Sequence, residues 1–298
     1  MQFASVFPER RFCLGEGPHY DAAAGQLYWA DIVAGQAWRM TLATGEAIHW
    51  SFPTPLSAVV PRKGGGLMVA LAGELIFFDP ANGERTPFTA PERHKPENRS
   101  NEARVDPTGR FWLGTMQNNI GPAREDLPIT KATGALYRIE NDGRYEKLVD
   151  TVGVSNTLCW DEKRARLYFA DTMRGTIRVF DWDAASGRIT NPRVFAPPHK
   201  RGAPDGSALD AEGHLWNARW GGGCLIRYAP DGSIDRIIDV PVTNPTSCVF
   251  AGPELKRLYV TSAWQGMSEG SRAANRLEGA LLVAEANVAG QPCTPLAA

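Results

Sequence analysis

Short runs of apolar and aromatic residues recur along the whole chain, and each run is bounded by glycine, proline, aspartate or asparagine. Runs such as QLYWAD, RLYFAD and RLYVTSAW predict buried strands because they are rich in aromatic and branched residues. No stretch shows the period of about 3.6 residues that marks a long amphipathic helix. The pattern therefore predicts an all-β fold.

The predicted strands form a unit that occurs six times. Each unit has a short strand, a hairpin of two strands, and a linking stretch that supplies a fourth strand. The hairpins occupy residues 25–46, 66–84, 109–144, 165–188, 213–233 and 256–290. A four-stranded unit repeated about every 50 residues is typical of propeller blades. The sequence predicts a six-bladed β-propeller with four-stranded blades, a single domain over residues 1–298, with a β-sandwich or a β-helix as the alternatives.

The two ends of the chain supply the strands that would close the ring. FASVF near the start is expected to pair with ALLVAEA near the end. Such pairing removes the exposed sheet edges that an open arrangement leaves.

Composition and charge limit the classes of partner. Hydrophobic residues make up 43% and charged residues 22%, and the net charge is -1. This balance argues against nucleic acid or an anionic membrane as the main partner. No apolar run approaches the ~20 residues of a membrane span, and the N-terminal segment lacks a signal-peptide core, so we expect a cytoplasmic protein. The five cysteines include no CxxC pair and are expected to be reduced and mostly buried.

Common catalytic motifs are missing. The five histidines show no ligand spacing, and neither HExxH nor GxSxG occurs. The glycine triplets at 64–66 and 221–223 lack a following Lys-Ser/Thr and are expected to be tight turns. Serine hydrolase, zincin and phosphate-loop chemistry are therefore disfavoured.

A ring of polar residues is predicted at one end of the propeller channel, because the first strand of each blade lines that channel. Counting back 10 or 11 positions from the first apolar residue of each following strand selects one residue per blade: Glu16, Ser57 or Leu56, Asn101, Asn156, Asp205 and Ser247. Glu16, Asn156 and Asp205 offer hard oxygen ligands, which suit one divalent ion such as Ca²⁺, Mg²⁺, Mn²⁺, Zn²⁺ or Fe²⁺. Asn and Asp at strand starts often only complete turns, but several at one level favour a metal site.

Arg99 and Asn101 lie where a loop enters the third inner strand, so both are expected to lie over this metal site. An arginine there suits recognition of an oxygen-rich ligand. Residues 117–133 are the longest interruption inside a blade and are predicted to be a lid or specificity loop.

Five segments together carry a family resemblance. EGP at 16–18, NRSNEARVDPTGRFWLGTM, SNTLCWDEKRARLYFADT, PDGSALDAEGHLW and NPTSCVF resemble the SMP-30/gluconolactonase/regucalcin-like family and cover nearly the full chain in its order. The resemblance implies a six-bladed propeller with one divalent metal held by Glu16, Asn156 and Asp205. It also implies sugar-lactone hydrolysis in many bacterial members and calcium-handling roles in animal members.

The resemblance further implies substrate contacts for Arg99 and Asn101, to which we add Asn118. This chain departs from the family pattern at two places that bear on the identity of its substrate. Glu102 stands where the family often has Asp, and Gln117, Asn118 and Asn119 follow GTM without a carboxylate.

The leading hypothesis is a metal-dependent lactonase that opens a small-molecule sugar lactone to its aldonic acid in carbohydrate catabolism, with Asp205 as general base. The alternatives are a non-catalytic calcium-binding or regulatory propeller and a phosphotriesterase-like metal hydrolase. The sugar, the metal and the oligomeric state are not readable from the sequence.

Overall fold

Six antiparallel sheets of four strands each make up the computed structural model, which describes residues 1–298. In blades one to five the strands pair in chain order. The first three blades contain β2 (Gly15–Asp21), β3 (Gln26–Asp31), β4 (Gln36–Thr41) and β5 (Ala47–Ser51); β6 (Leu56–Pro61), β7 (Leu67–Leu71), β8 (Leu75–Phe78) and β9 (Arg85–Thr89); and β10 (Asn98–Val105), β11 (Phe111–Gln117), β12 (Gly134–Ile139) and β13 (Tyr145–Val152).

The second half of the ring repeats this arrangement. The strands of the remaining blades are β14 (Ser155–Asp161), β15 (Arg166–Asp171), β16 (Thr176–Trp182) and β17 (Ile189–Ala196); β18 (Ala203–Leu209), β19 (Leu215–Trp220), β20 (Cys224–Tyr228) and β21 (Ile234–Asp239); and β22 (Pro245–Ala251), β23 (Arg257–Ser262), β24 (Leu282–Glu285) and β1 (Ala4–Ser5). The first strands of the six blades, from β2 to β22, contact one another around the axis. The six-bladed β-propeller predicted from the repeat is confirmed.

The N-terminal strand closes the ring. β1 pairs antiparallel with β24, with Ala4 opposite Val283 and Ser5 opposite Leu282. The sixth blade therefore takes its outer strand from the other end of the chain, as the sequence predicted.

Helix is scarce. One α-helix, α1 (Glu269–Ala274), follows β23, and 3-10 turns occupy Glu162–Arg164, Thr172–Arg174 and Pro253–Leu255. None of these helices has the length and apolarity needed to span a membrane.

The core is divided among the contacts between blades. Six buried apolar clusters occur, and each joins residues of two neighbouring blades. Between blades three and four, for example, Trp112 packs edge-on against Trp160 with ring centroids 5.4 Å apart. Because burying one large apolar side chain stabilises by about 1.5–3 kcal/mol, this packing holds the inner strands in fixed positions.

The cysteines are all free thiols. Cys159, Cys224 and Cys248 are buried, whereas Cys13 and Cys293 are half-buried. The prediction that most of the cysteines are buried is confirmed.

Candidate metal centre

Every inner strand has a break in its pairing register near its beginning. In blade one the break lies between Glu16 and His19, and in blade four between Asn156 and Leu158. The other four inner strands have it at the corresponding level. A β-bulge interrupts the alternation of side chains between the two faces of a sheet. The repeated bulge therefore re-aims one set of side chains around the axis.

The backbone at these bulges adopts unusual conformations. Gly17, which follows Glu16, has φ +56, and a Cβ there would lie 2.9 Å from the carbonyl oxygen of Ser57. Thr157, which follows Asn156, has φ 51 although its side chain is branched. Such conformations cost energy and often occur at functional sites.

The hairpin register identifies the equivalent positions in the six blades. Trp160 pairs with Leu167 and Phe250 pairs with Leu258. Counting back four residues from each such pair gives Glu16, Ser57, Asn101, Asn156, Asp205 and Thr246. The count in blade six had selected Ser247. Ser247 lies one residue beyond the equivalent position, Thr246, because the 3-10 turn Pro253–Leu255 lengthens that hairpin.

Four of these residues, Asn101 among them, line a cavity of about 300 Å³, which we call the upper cavity, and three of the four meet at its base. Glu16, Asn156 and Asp205 line it, although they belong to three different blades. All three are nearly fully buried. The ring position in blade two is not part of the lining, since the Ser57 hydroxyl donates to Ser100 inside the channel.

Two of the three residues, Glu16 and Asp205, carry carboxyl groups that lie close to each other. Glu16 and Asp205 lie within hydrogen-bonding reach of one another. Burial, reinforced by the charge of Glu102, raises the pKa of Glu16 to about 8. Burial and the charge of Glu16 likewise raise the pKa of Asp205 well above its ordinary value. Two carboxyl groups in this position disfavour ionisation of both unless a cation compensates their charge.

One oxygen of each carboxyl group accepts a hydrogen bond from the backbone N–H of the following residue. The Gly17 N–H donates to Glu16 Oε2 at 3.0 Å, and the Gly206 N–H donates to Asp205 Oδ1 at 3.1 Å. These bonds hold the carboxyl planes in place and leave the second oxygen of each group for a ligand.

The amide of Asn156 has a defined orientation. Its Nδ2 donates to Thr172 Oγ1 at 2.8 Å, and the Thr172 hydroxyl in turn donates to the carbonyl oxygen of Pro204 at 2.7 Å. Since the nitrogen is used in this way, Oδ1 of Asn156 is the atom left for the cavity. The set therefore presents three oxygen ligands, two of them acidic, which fits a hard divalent cation.

No positive side chain takes the place of that cation. Arg99 lines the upper cavity, but its Nη1 donates to Asn101 Oδ1 at 2.7 Å and to the Ser100 carbonyl, and its Nε donates to Asn119 Oδ1 at 2.9 Å. Its Nη2 makes no hydrogen bond within the protein. Burial lowers the pKa of Arg99 to about 10, so it remains charged at neutral pH. The Nη2 group of Arg99, with its two N–H bonds, is thus available to a ligand.

Asn101 and Asn118 differ in position. Asn101 lines the cavity and is held by a hydrogen bond from its Nδ2 to the Ser155 carbonyl at 2.9 Å. Asn118 lies outside the lining, because its amide exchanges two hydrogen bonds with the backbone of Ile120. Its neighbour Asn119 lines the cavity instead. Strand β11 ends at Gln117, so strand alternation did not indicate which of the two residues faces the ligand.

The loop over residues 117–133 lies at the mouth of the cavity, as its length suggested. It contributes Asp126, Leu127 and Ile129 to the lining. Asp126 accepts a hydrogen bond from Gln265 of the sixth blade, and Arg124 reaches backbone carbonyls of the first. The loop therefore bridges several blades across the opening.

Several lining residues had not been predicted. They are Asn119, Asp126, Thr172, Trp220 and Gln265. All of them lie in loops or at strand ends, where sequence spacing carries little positional information. The one available signal concerned Thr172. It directly follows Asp171, which ends β15.

A second acidic cluster lies in the turn between β18 and β19. Ligand atoms of Asp210, Glu212 and His214 lie within 4.8 Å of one another. Arg227 already donates to Asp210 Oδ2 at 2.6 Å and to Glu212 Oε2 at 2.5 Å. Asp210 also accepts hydrogen bonds from two backbone N–H groups and from the Trp216 indole. Because its charge is compensated and its oxygens are occupied, this cluster suits a metal less well than the axial set.

Comparison with known proteins agrees with this geometry. The model of the SMP-30/Gluconolactonase/LRE-like region matches residues 14–264. Regucalcin of Xenopus laevis is 33% identical over 258 residues, which cover 86% of this chain and 85% of that protein. A putative sugar lactone lactonase of Rhizobium meliloti (strain 1021) is 34% identical over 266 residues, covering 88% of this chain and 86% of that protein.

Solved structures show the same likeness. The structure of a calcium-binding protein, regucalcin, from Agrobacterium tumefaciens superposes with a TM-score of 0.90 at 32% identity. The match covers 99% of this chain and 97% of that one. The whole ring, and not one part of it, is therefore shared.

Proposed function

Because the chain belongs to the SMP-30/gluconolactonase/LRE-like family, we propose that it hydrolyses a sugar lactone to the corresponding aldonic acid and requires one divalent metal ion. The observation that carries the proposal is the convergence of Glu16, Asn156 and Asp205 at the base of the upper cavity. The sugar-lactone substrate is supported by the name of the Rhizobium relative and by the polar lining of the cavity.

Glu16, Asn156 and Asp205 would hold the metal through the oxygens described above. When bound, a divalent cation supplies polarisation of the lactone carbonyl and a lower pKa for water. The two carboxyl groups would then ionise together, since a bound cation would compensate the negative charge that burial disfavours.

Asp205 is the proposed general base. The attacking water forms a C–O bond to the carbonyl carbon and gives its proton to the Asp205 carboxylate. The ring C–O bond then breaks, and the same proton passes to the ring oxygen, which becomes the new hydroxyl group of the acid. Asp205 is unchanged after one turnover.

Arg99 and its partners position the substrate. Asn101 and Asn119 hold the guanidinium plane on two sides, so that the remaining N–H groups point toward a bound oxygen. Because these hydrogen bonds already hold the guanidinium in place, Arg99 binds the lactone without first losing its side-chain freedom. Asp126 of the loop at the mouth and Gln265 of the sixth blade would contact the distal hydroxyl groups of the sugar.

A second candidate is a calcium-binding propeller without turnover, which the description of the Agrobacterium structure as calcium-binding favours. Both candidates use the same three ligands, so metal binding alone does not separate them.

Asp205→Asn separates them. The variant keeps an oxygen ligand of nearly the same shape and removes the base. In an enzyme, aldonolactone turnover at full metal occupancy falls by roughly 10²-fold or more, the scale of general-base contributions. Near-wild-type turnover at full occupancy would exclude the role of Asp205. If the wild-type protein hydrolyses no member of a broad lactone panel and Asp205→Asn only weakens ion binding, the calcium-binding candidate is correct.

A further inference from the structure

A larger cavity, of about 380 Å³, lies at the opposite end of the channel. It is lined by residues near the ends of the inner strands, such as His19, Leu158 and Phe250, whereas residues near their beginnings line the upper cavity. The two cavities share no lining residue. We call this second space the lower cavity.

The C-terminal segment, residues 290–298, crosses the mouth of the lower cavity. Its Gln291 N–H donates to the Leu209 carbonyl of blade five at 2.9 Å, and its Leu296 N–H donates to the Pro61 carbonyl of blade two at 2.9 Å. Residues of this segment, including Cys293, form part of the cavity wall. The lower cavity is therefore enclosed on one side by a segment fixed at both ends.

Arg104 is a cation in the wall of this cavity with few strong partners. Its guanidinium lies 3.3 Å from Glu102 Oε1, 3.4 Å from Ser247 Oγ and 3.7 Å from Cys159 Sγ. Charge-assisted hydrogen bonds of arginine are usually about 2.7–2.9 Å long, and the side chain has five N–H donors. Glu102 contacts only Nε, and the terminal nitrogens make only the long contacts to Cys159 and Ser247, which a stronger acceptor can replace.

A second polar group in the lining lacks a partner. The imidazole of His19 is 6% exposed, and its Nε2 makes no hydrogen bond. Burial and the nearby charge of Arg104 lower the pKa of His19 to about 3, so the ring is neutral and adds no charge. Buried polar atoms without partners are uncommon in folded proteins and call for an explanation such as a bound ligand.

The rest of the wall is mainly apolar. Val60, Leu158 and Phe250 line the cavity around the arginine. At the rim, Lys163 and Glu162 offset each other's charge. A pocket that combines apolar side chains with placed polar groups is typical of sites for small organic ligands.

We propose that the lower cavity binds a small monocarboxylate with a compact apolar body. The carboxylate accepts hydrogen bonds from the terminal nitrogens of Arg104, and the body packs against the apolar wall. This site is independent of the proposed lactone chemistry, since no residue of the upper cavity takes part in it.

Calorimetric titration with benzoate tests the proposal, with benzamide as the uncharged analogue. Because Arg99 in the upper cavity is a second arginine that attracts carboxylates, the titration is repeated with Arg99→Ala and Arg104→Gln. Benzoate binding survives Arg99→Ala, weakens at least about tenfold in Arg104→Gln, as expected for loss of charged hydrogen bonds, and exceeds benzamide binding. Binding that is lost in Arg99→Ala and kept in Arg104→Gln, or no binding at all, overturns it.

Two further measurements apply if Arg104→Gln does not fold. Ala211→Trp places a large side chain at the exposed rim of the cavity and should block benzoate entry without touching the channel interior. Crystals of the wild-type protein soaked with 4-bromobenzoate should show an anomalous bromine peak in the lower cavity. Unchanged binding in Ala211→Trp together with a bromine peak only in the upper cavity contradicts the proposal.

Discussion

Asn156 donates its amide N–H to the hydroxyl of Thr172 over 2.8 Å, and this bond determines which end of the amide faces the upper cavity. Thr172 lies outside the proposed three-ligand set, but it fixes the orientation of one proposed ligand. Hydrogen bonds of this kind commonly affect metal affinity by about 10–100-fold.

Thr172→Val should therefore weaken metal binding by about 10-fold or more, because the amide loses the acceptor that holds its nitrogen away from the ion. Thr172→Ser, which keeps the hydroxyl group, is the matched control and should bind metal nearly as well as the wild type. Titration of metal-free protein measures both affinities. Equal affinities in the valine and serine variants would show that Asn156 is oriented in some other way.

Arg99→Ala should reduce kcat/KM for lactone hydrolysis by about 10–100-fold, the loss expected for charged hydrogen bonds to substrate. Metal content should stay near that of the wild type, since a guanidinium group is not a ligand. Metal analysis and kinetics on the same preparation separate the two properties. If metal and activity disappear together, Arg99 has a structural role.

Asp126→Ala should change the ranking of lactone substrates more than it changes metal affinity. Asp126 lines the mouth of the upper cavity and contacts Gln265, so we expect it to face the distal part of the proposed lactone substrate. We expect the ratio of kcat/KM between lactones with different hydroxyl patterns to change by about tenfold. Glu125→Ala in the same loop is the control, because Glu125 caps the Ala123 N–H outside the cavity. An unchanged ranking removes the role assigned to this loop.

The stability of the protein in mild acid should depend on His19. The pKa of His19 is lowered to about 3 in the folded protein by burial and by Arg104. Below about pH 6.5 the unfolded chain binds a proton at this residue that the folded protein excludes, so stability falls as the pH is lowered.

His19→Gln should remove this contribution. Between pH 6.5 and 5 the wild type should lose up to about 2 kcal/mol more unfolding free energy than the variant. Urea unfolding at several pH values measures the difference, and His49→Gln, at an exposed position, is the control. Parallel pH profiles for wild type and His19→Gln would mean that His19 is already protonated in the folded protein.

Much of the fold was predictable because propeller blades repeat. The hairpins of five blades have similar lengths, so counting from one apolar residue placed Glu16, Asn156 and Asp205 at one level, and the pairing register confirms that level. In blade six the same count selected Ser247 in place of Thr246, because one longer turn shifts the register.

The rim of the cavity was less predictable. Asn118 and Asn119 follow the end of a strand, where side chains no longer alternate regularly between faces. Asp126 and Gln265 reach the cavity through contacts between distant blades, such as those of Arg124 with blade one. No local pattern encodes these contacts, since they depend on the closed ring.

The most direct test of the metal-dependent lactonase is the rate of aldonolactone hydrolysis measured against metal occupancy. Protein stripped with a chelator is reloaded stepwise with Ca²⁺, Zn²⁺, Mn²⁺ or Mg²⁺, and bound metal and turnover are determined in each sample. Metal-free protein should show no turnover, and the rate should rise in proportion to occupancy until about one ion is bound per chain. Turnover that persists in metal-free protein, or its absence across the lactone panel at full occupancy with every ion, would contradict it.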